Sequence, residues 1–93
     1  MKIRLQDDFL FVLNNQVDYI SRDKPAAARK FKKDLLLNLK KDLPSPFHYK
    51  KSIYFDDENI RDYVFKGYII TYFIETETNL VSIFGFIKHK ASL

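Results

Sequence analysis

The sequence predicts an α+β fold of the order βααβββ, in which an N-terminal helical hairpin packs on one face of an antiparallel sheet. Two observations carry this prediction. Apolar residues recur at helical spacing in the first half of the chain, whereas the second half contains short apolar or alternating runs separated by polar turns. A separate observation concerns the number of domains: no repeat, low-complexity tract or linker divides the 93 residues. We therefore expect residues 1–93 to form a single domain.

The first strand and the first helix follow from residues 3–22. Ile3 and Leu5 alternate with polar residues, which predicts a short strand. Asp7 or Asp8 is suited to cap a helix that continues to about Arg22. The apolar positions of this helix recur every three or four residues: Phe9, Leu13, Val17 and Ile20.

A second helix begins near Pro25, where a missing N–H does no harm in the first turn and where Asp23 or Lys24 provides the cap. Its apolar stripe consists of Ala28, Phe31, Leu35, Leu39 and Leu43. The helix ends at Leu43-Pro44-Ser45-Pro46, because each proline disfavours helical angles in the residue before it.

The second half of the chain predicts strands: a short one at 52–55, and longer ones at 60–66, 68–75 and 80–88. The three longer strands form a meander, to whose edge the first strand can add. Ala28, Phe31, Leu35 and Leu39 should pack against sheet residues drawn from Val64, Ile70, Ile83 and Ile87.

Composition restricts the class of protein. The chain has no cysteine, and its two histidines, His48 and His89, cannot form a zinc site unaided, so we expect neither a metal nor a cofactor. The N-terminus does not resemble a signal peptide, and the apolar runs are too short to span a membrane, which predicts a cytoplasmic protein without membrane contact. Lysine and arginine are concentrated in residues 24–51, which favours an acidic or polyanionic partner.

Several motifs occur in a fixed order along the chain: Asp23-x-Pro25-x-Ala27-Ala28-x-x-Phe31, the Pro46 loop, Ile60-Arg61, Gly67-Tyr68-Ile69-Ile70-x-Tyr72-x-Ile74, and Val81-x-Ile83 to His89. Together they resemble the RelE/ParE family of bacterial toxins, over about residues 3–90. The resemblance implies the same βααβββ fold and a cognate antitoxin that wraps and silences the toxin. It also implies contact with operator DNA only through the antitoxin complex.

The resemblance implies one of two poisons, namely cleavage of mRNA on the ribosome or inhibition of DNA gyrase. A metal-free ribonuclease needs a base, an acid and cations around the phosphate. Arg61 occupies a position where the family commonly carries arginine, although an ion pair with a neighbouring carboxylate is an alternative role. Lys50 and Lys51 resemble basic residues that contact the phosphate, with ordinary surface lysines as the alternative. His89 lies where several members place a histidine or tyrosine as a general acid, and a histidine without a catalytic role is the alternative.

The RNA-binding surface is expected to include Tyr49, Lys66, Lys88 and Lys90. Tyr68 and Tyr72 share a strand face and are suited either to stack a base or to fill the core, and the core is favoured. Ribonuclease members often carry an arginine in the strand at 68–72, where this chain has none. A ribosome-dependent mRNA endonuclease is the leading hypothesis. The alternative is a non-enzymatic gyrase inhibitor, whose binding surfaces are expected to be the helical hairpin and the C-terminal strand. A stand-alone nucleic-acid-binding module is weaker, because no motif of that class is present.

Overall fold

The predicted element order is confirmed by a computed structural model, which describes residues 1–88. The elements are β1 (Lys2–Leu5), α1 (Asp7–Ser21), α2 (Pro25–Asp42), β2 (Ile60–Phe65), β3 (Tyr68–Glu75) and β4 (Leu80–Lys88), with a 3-10 turn at Pro46–His48. Pro25 is the first residue of α2, as predicted. The N-cap of α1 is Gln6, so Asp7 and Asp8 lie in the first turn, where their charge favours the helix dipole.

The sheet has the order β1-β4-β3-β2. Strands β2, β3 and β4 form the predicted antiparallel meander, and β1 adds at its edge as expected. However, β1 pairs parallel to β4, so the sheet is mixed and the expectation of a wholly antiparallel sheet is corrected. Parallel neighbours require a long crossover connection between them in the chain. The helical hairpin that follows β1 is part of the connection from β1 to β4.

The core lies between the helical hairpin and one face of the sheet. Ala28, Leu35 and Leu39 are buried on the α2 stripe, as predicted. Phe31 packs against three aromatic rings of the sheet, those of Phe65, Tyr68 and Phe86. The predicted sheet partners Ile70 and Ile83 are fully buried. We refer to the sheet face beneath the helices as the helix face and to the other as the open face.

The prediction that Val64 and Ile87 belong to the core is wrong, since both are exposed. In β2, Tyr63 and Phe65 are the buried residues, and strand alternation therefore turns Val64 to the open face. Both parities of this strand carry hydrophobic side chains, so alternation alone did not identify the helix face.

The exposure of Ile87 has a different cause, a bulge in β4. Thr71 pairs with Gly85 and Tyr72 pairs with Ile83, so Phe84 is an extra residue on β4. Beyond the bulge the alternation is reversed, and Phe86 rather than Ile87 is buried. A side chain at Gly85 would bring its Cβ within 3.0 Å of the Thr71 Cβ, which explains the glycine.

The predicted strand at 52–55 is also wrong. Only Lys51 forms an isolated bridge, to Arg61, and the chain then turns, with the Tyr54 N–H donating to the Ser52 hydroxyl at 3.2 Å. A serine side chain that satisfies a nearby backbone N–H offers the chain an alternative to a strand ladder. The residues after Ser52 therefore form a loop that folds towards the open face, where the Phe55 ring contacts that of Phe84.

Candidate functional site

A groove of about 570 Å³ lies between the loop at residues 48–53 and the open face of the sheet. One wall is formed by the loop and the floor by the strands β2 and β3. The lining residues are His48, Tyr49, Lys50, Lys51, Ile53, Asp62, Val64 and Ile69. We call this feature the open-face groove. It brings together three of the predicted site residues, Tyr49, Lys50 and Lys51.

The floor of the groove is mainly aliphatic. Val64 is 67% exposed and Ile53, on the wall, is 81% exposed. Asp62 is the acidic residue of the floor, and its carboxylate accepts a hydrogen bond from the Thr71 hydroxyl at 3.0 Å. The surface offered to a ligand is therefore mainly apolar, with the Asp62 carboxylate in its floor and Lys50 and Lys51 on its wall.

Arg61 does not line the groove. It pairs directly with Tyr72, which is buried on the helix face, and cross-strand partners share a face. Its guanidinium donates hydrogen bonds to backbone carbonyl oxygens of Phe47 (3.4 Å), Tyr49 (2.8 Å) and Glu58 (2.9 Å). The side chain is only 15% exposed and lies 5.2 Å from the centre of the Phe47 ring. The arginine thus fastens the loop to the end of the sheet.

Lys51 lies beside Arg61, and one carboxylate joins them. Glu58 is 3.8 Å from the Arg61 guanidinium and 4.0 Å from the Lys51 ammonium. Lys51 also contacts Asp56 at 3.2 Å. The carboxylates of these ion pairs are exposed, and pairs open to solvent contribute little stability. They surround the Lys51 ammonium with two carboxylates, those of Asp56 and Glu58.

Two tyrosine hydroxyls hold the loop and the end of α2 against the sheet. Tyr72 donates to the Pro46 carbonyl at 2.6 Å, and Tyr63 donates to the Asp42 carboxylate at 2.5 Å. Burial raises the pKa of both phenols well above the usual value, and the hydrogen bond to Asp42 raises that of Tyr63 further. Burial, with a smaller effect of Asp42, also raises the pKa of Tyr49. Tyr68 and Tyr72 are core residues, as favoured from the sequence.

The remaining predicted RNA-binding residues lie elsewhere. Lys66 is in the turn between β2 and β3, with its ammonium 3.9 Å from Asp34, and Lys88 ends β4. Since a strand rises roughly 3.3 Å per residue, Lys66 is about 17 Å along β2 from Arg61. Lys66 and Lys88 therefore lie at the opposite end of the strands from Arg61. His89 and Lys90, predicted as general acid and RNA contact, lie outside the described residues.

Reasoning from the sequence missed the aliphatic lining of the groove. The signal was available: Val64 lies between Tyr63 and Phe65, and Ile69 lies between Tyr68 and Ile70. Hydrophobic residues at successive strand positions indicate a sheet with hydrophobic side chains on both faces. Within residues 1–88 no three histidine, aspartate or glutamate side chains are grouped to hold a metal ion. Neither helix of the described part is long and apolar enough to cross a membrane.

Comparison with known proteins agrees with this architecture. A search of curated proteins gave no match. The sequence model of a family described as "ParE toxin of type II toxin-antitoxin system, parDE" matches residues 3–93, which is nearly the whole chain. The chain therefore belongs to the ParE family within the RelE/ParE superfamily, and it is the toxin of a type II toxin–antitoxin system with a cognate antitoxin as its partner.

Proposed function

We propose that this toxin acts by binding DNA gyrase through the open-face groove, without cutting RNA. The observation that carries the proposal is the chemistry of the groove, whose floor is aliphatic and contains the Asp62 carboxylate. A protein segment with apolar side chains gains from burial against the exposed Val64 and Ile53 side chains, roughly 25 cal/mol per Å² of apolar area. A phosphate would instead meet Asp62 at close range.

The position of Arg61 supports the same proposal. Three of its hydrogen bonds go to loop carbonyls, and its guanidinium lies on the helix-face side of β2. A catalytic guanidinium has to aim at the charge that develops on the phosphate. An arginine that already satisfies backbone oxygens is suited to holding a rigid loop beside the groove.

Cleavage of mRNA on the ribosome is the second candidate, and one observation favours it. His48, Tyr49 and Lys50 lie along one wall of the groove, so a titratable ring, a phenol and a cation are close together. These are residue types that serve as acid, base and phosphate contact in a metal-free ribonuclease. Of these three residues, Lys50 and Tyr49 belong to the site predicted from the sequence, and His48 is an addition to it.

A paired assay separates the two candidates. The chain, made by cell-free synthesis, is added to gyrase with relaxed plasmid, and separately to a reconstituted translation reaction in which mRNA ends are mapped. We expect supercoiling to stop while mRNA stays intact. Val64→Glu should weaken gyrase inhibition by about 10-fold or more, because it places a charge on the apolar floor beside Asp62.

Leu37→Glu is the matched control, since Leu37 is also exposed but lies on α2, on the other side of the sheet. It should leave inhibition unchanged. Cleaved mRNA with normal supercoiling, together with loss of cleavage in Lys50→Ala, would reject the gyrase proposal in favour of the ribonuclease.

We also propose how the antitoxin binds. The outward face of α2 carries exposed basic residues: Arg29, Lys30, Lys33, Lys40 and Lys41. The segment at 50–52 pairs with the first half of the β2 edge through Ser52 and Asp62, whereas no described residue pairs with that edge at Val64. An antitoxin with an acidic amphipathic helix and an added strand fits both features. Nanomolar or tighter affinity is expected of such a wrap, and a titration of toxin with purified antitoxin tests it.

A further inference from the structure

The outward side of α1 carries large apolar side chains where a surface helix normally carries polar ones. Phe11 is 68% exposed and Tyr19 is 65% exposed, while the opposite side of the helix buries Phe9 and Leu13. With 3.6 residues per turn, one stripe along the helix contains the following exposed residues: Asp8, Phe11, Val12, Asn15, Tyr19 and Arg22. We call this set the α1 stripe.

The α1 stripe is complementary to itself. Phe11 and Tyr19 lie at equal distances before and after Asn15 in the sequence. Asp8 and Arg22 also lie at equal distances from Asn15, farther out along the helix. If two copies of α1 cross antiparallel at Asn15, each Phe11 meets Tyr19 of the other copy, and each Asp8 meets Arg22 of the other copy. A two-fold interface requires this kind of pairing, because the same patch serves both subunits.

We propose that two copies of this toxin associate through their α1 stripes, antiparallel, about a two-fold axis at Asn15. Aromatic pairs occupy the middle and opposite charges lie at both ends, which is the arrangement of an apolar centre with a polar rim. The Arg22 guanidinium lies 5.9 Å from the centre of the Tyr19 ring in the same copy, so it already points along the stripe. Parallel crossing would place Asp8 against Asp8 and Arg22 against Arg22, and is disfavoured.

The length of the α1 stripe also sets the expected affinity of the dimer. It extends about 21 Å along the helix, since fourteen residues rise roughly 1.5 Å each. One helical stripe covers less than the roughly 800 Å² per partner of a standard stable interface. We therefore expect a reversible dimer with a dissociation constant in the range of about 1–100 µM.

Charge exchange tests the proposal, with sedimentation equilibrium as the measurement. Asp8→Arg alone and Arg22→Asp alone each place like charges together and should weaken the dimer about 10-fold. The double variant Asp8→Arg/Arg22→Asp should recover it. A mixture of the two single variants should form a heterodimer that is tighter than either homodimer. Only antiparallel pairing predicts loss in the single variants together with recovery in the double variant, because a parallel pair places like charges together in every one of these homodimers. Phe11→Ser should abolish association, whereas Leu37→Ser, also exposed but outside the stripe, should not.

Thermal unfolding of each variant establishes that the fold is intact, so loss of the dimer is attributable to the interface. A wild-type chain that stays monomeric up to about 200 µM overturns the proposal, as does a dimer unaffected by Phe11→Ser. The proposal is also overturned if the wild-type chain is monomeric and Phe11→Ser weakens antitoxin binding, because the α1 stripe then binds the antitoxin. Gyrase is absent from these measurements, so they do not depend on the proposed target.

Discussion

Replacing Arg61 by alanine distinguishes a role in the fold from a role in the chemistry. The change removes three hydrogen bonds to loop carbonyls, of which the one to Tyr49 is short and partly buried. A hydrogen bond from a charged group contributes about 1.5–3 kcal/mol, and exposed ones contribute less. Adding a small cation–π contribution from Phe47, we expect a loss of about 2–3 kcal/mol in the free energy of unfolding. For a domain of this size that lowers Tm by about 10–20 °C.

Urea and thermal unfolding followed by circular dichroism measure this loss. Arg61→Lys should recover less than half of it, because an ammonium cannot reach three carbonyls as the planar fork does. Arg29→Ala is the matched control on the exposed face of α2 and should stay within about 0.5 kcal/mol of wild type. If Arg61→Ala leaves Tm unchanged and instead lowers the rate of mRNA cleavage about 100-fold, Arg61 is a catalytic residue and its structural role is refuted.

Three further predictions concern the core and the sheet. Leu35→Ala should lower the free energy of unfolding by roughly 2–5 kcal/mol in urea titrations, since Leu35 is fully buried; a loss below about 1 kcal/mol would contradict its core role. Burial raises the pKa of Tyr63 and Tyr72 in the folded chain, so their stabilising effect is complete below the unfolded pKa of about 10 and declines as pH rises above it. The urea midpoint should fall from pH 9 towards pH 11, about one unit either side of the unfolded tyrosine pKa. Tyrosinate absorbance from Tyr63 and Tyr72 should appear only on unfolding. Titration of these two phenols in the folded chain would disprove the prediction. Gly85→Ala should cost about 1–3 kcal/mol, because its Cβ would lie 3.0 Å from that of Thr71, and an unchanged Tm would show that the bulge adapts.

The sequence by itself determined the element order, the α2 stripe and the family. Helical spacing identifies Ala28, Leu35 and Leu39 because a helix has one buried stripe, and the period of that stripe is visible without knowledge of any partner. Turn residues and prolines located the ends of the helices and of the longer strands for the same reason, since their preferences are local. The family followed from motifs that occur in a fixed order over nearly the whole chain.

Only the tertiary structure decided which sheet face is covered and what surrounds the site residues. Val64 and Tyr63 are both hydrophobic, so the sequence does not show which of them faces the helices. Only the packing of the aromatic rings beneath the helices shows that Tyr63 does. The bulge at Gly85 depends on a contact with Thr71 on the neighbouring strand, and it reverses the side of every later residue of β4. For Arg61, likewise, the sequence indicates only a phosphate contact or an ion pair with a neighbouring carboxylate. Its carbonyl partners come from a loop up to fourteen residues earlier in the chain, and such contacts between distant segments leave no local pattern.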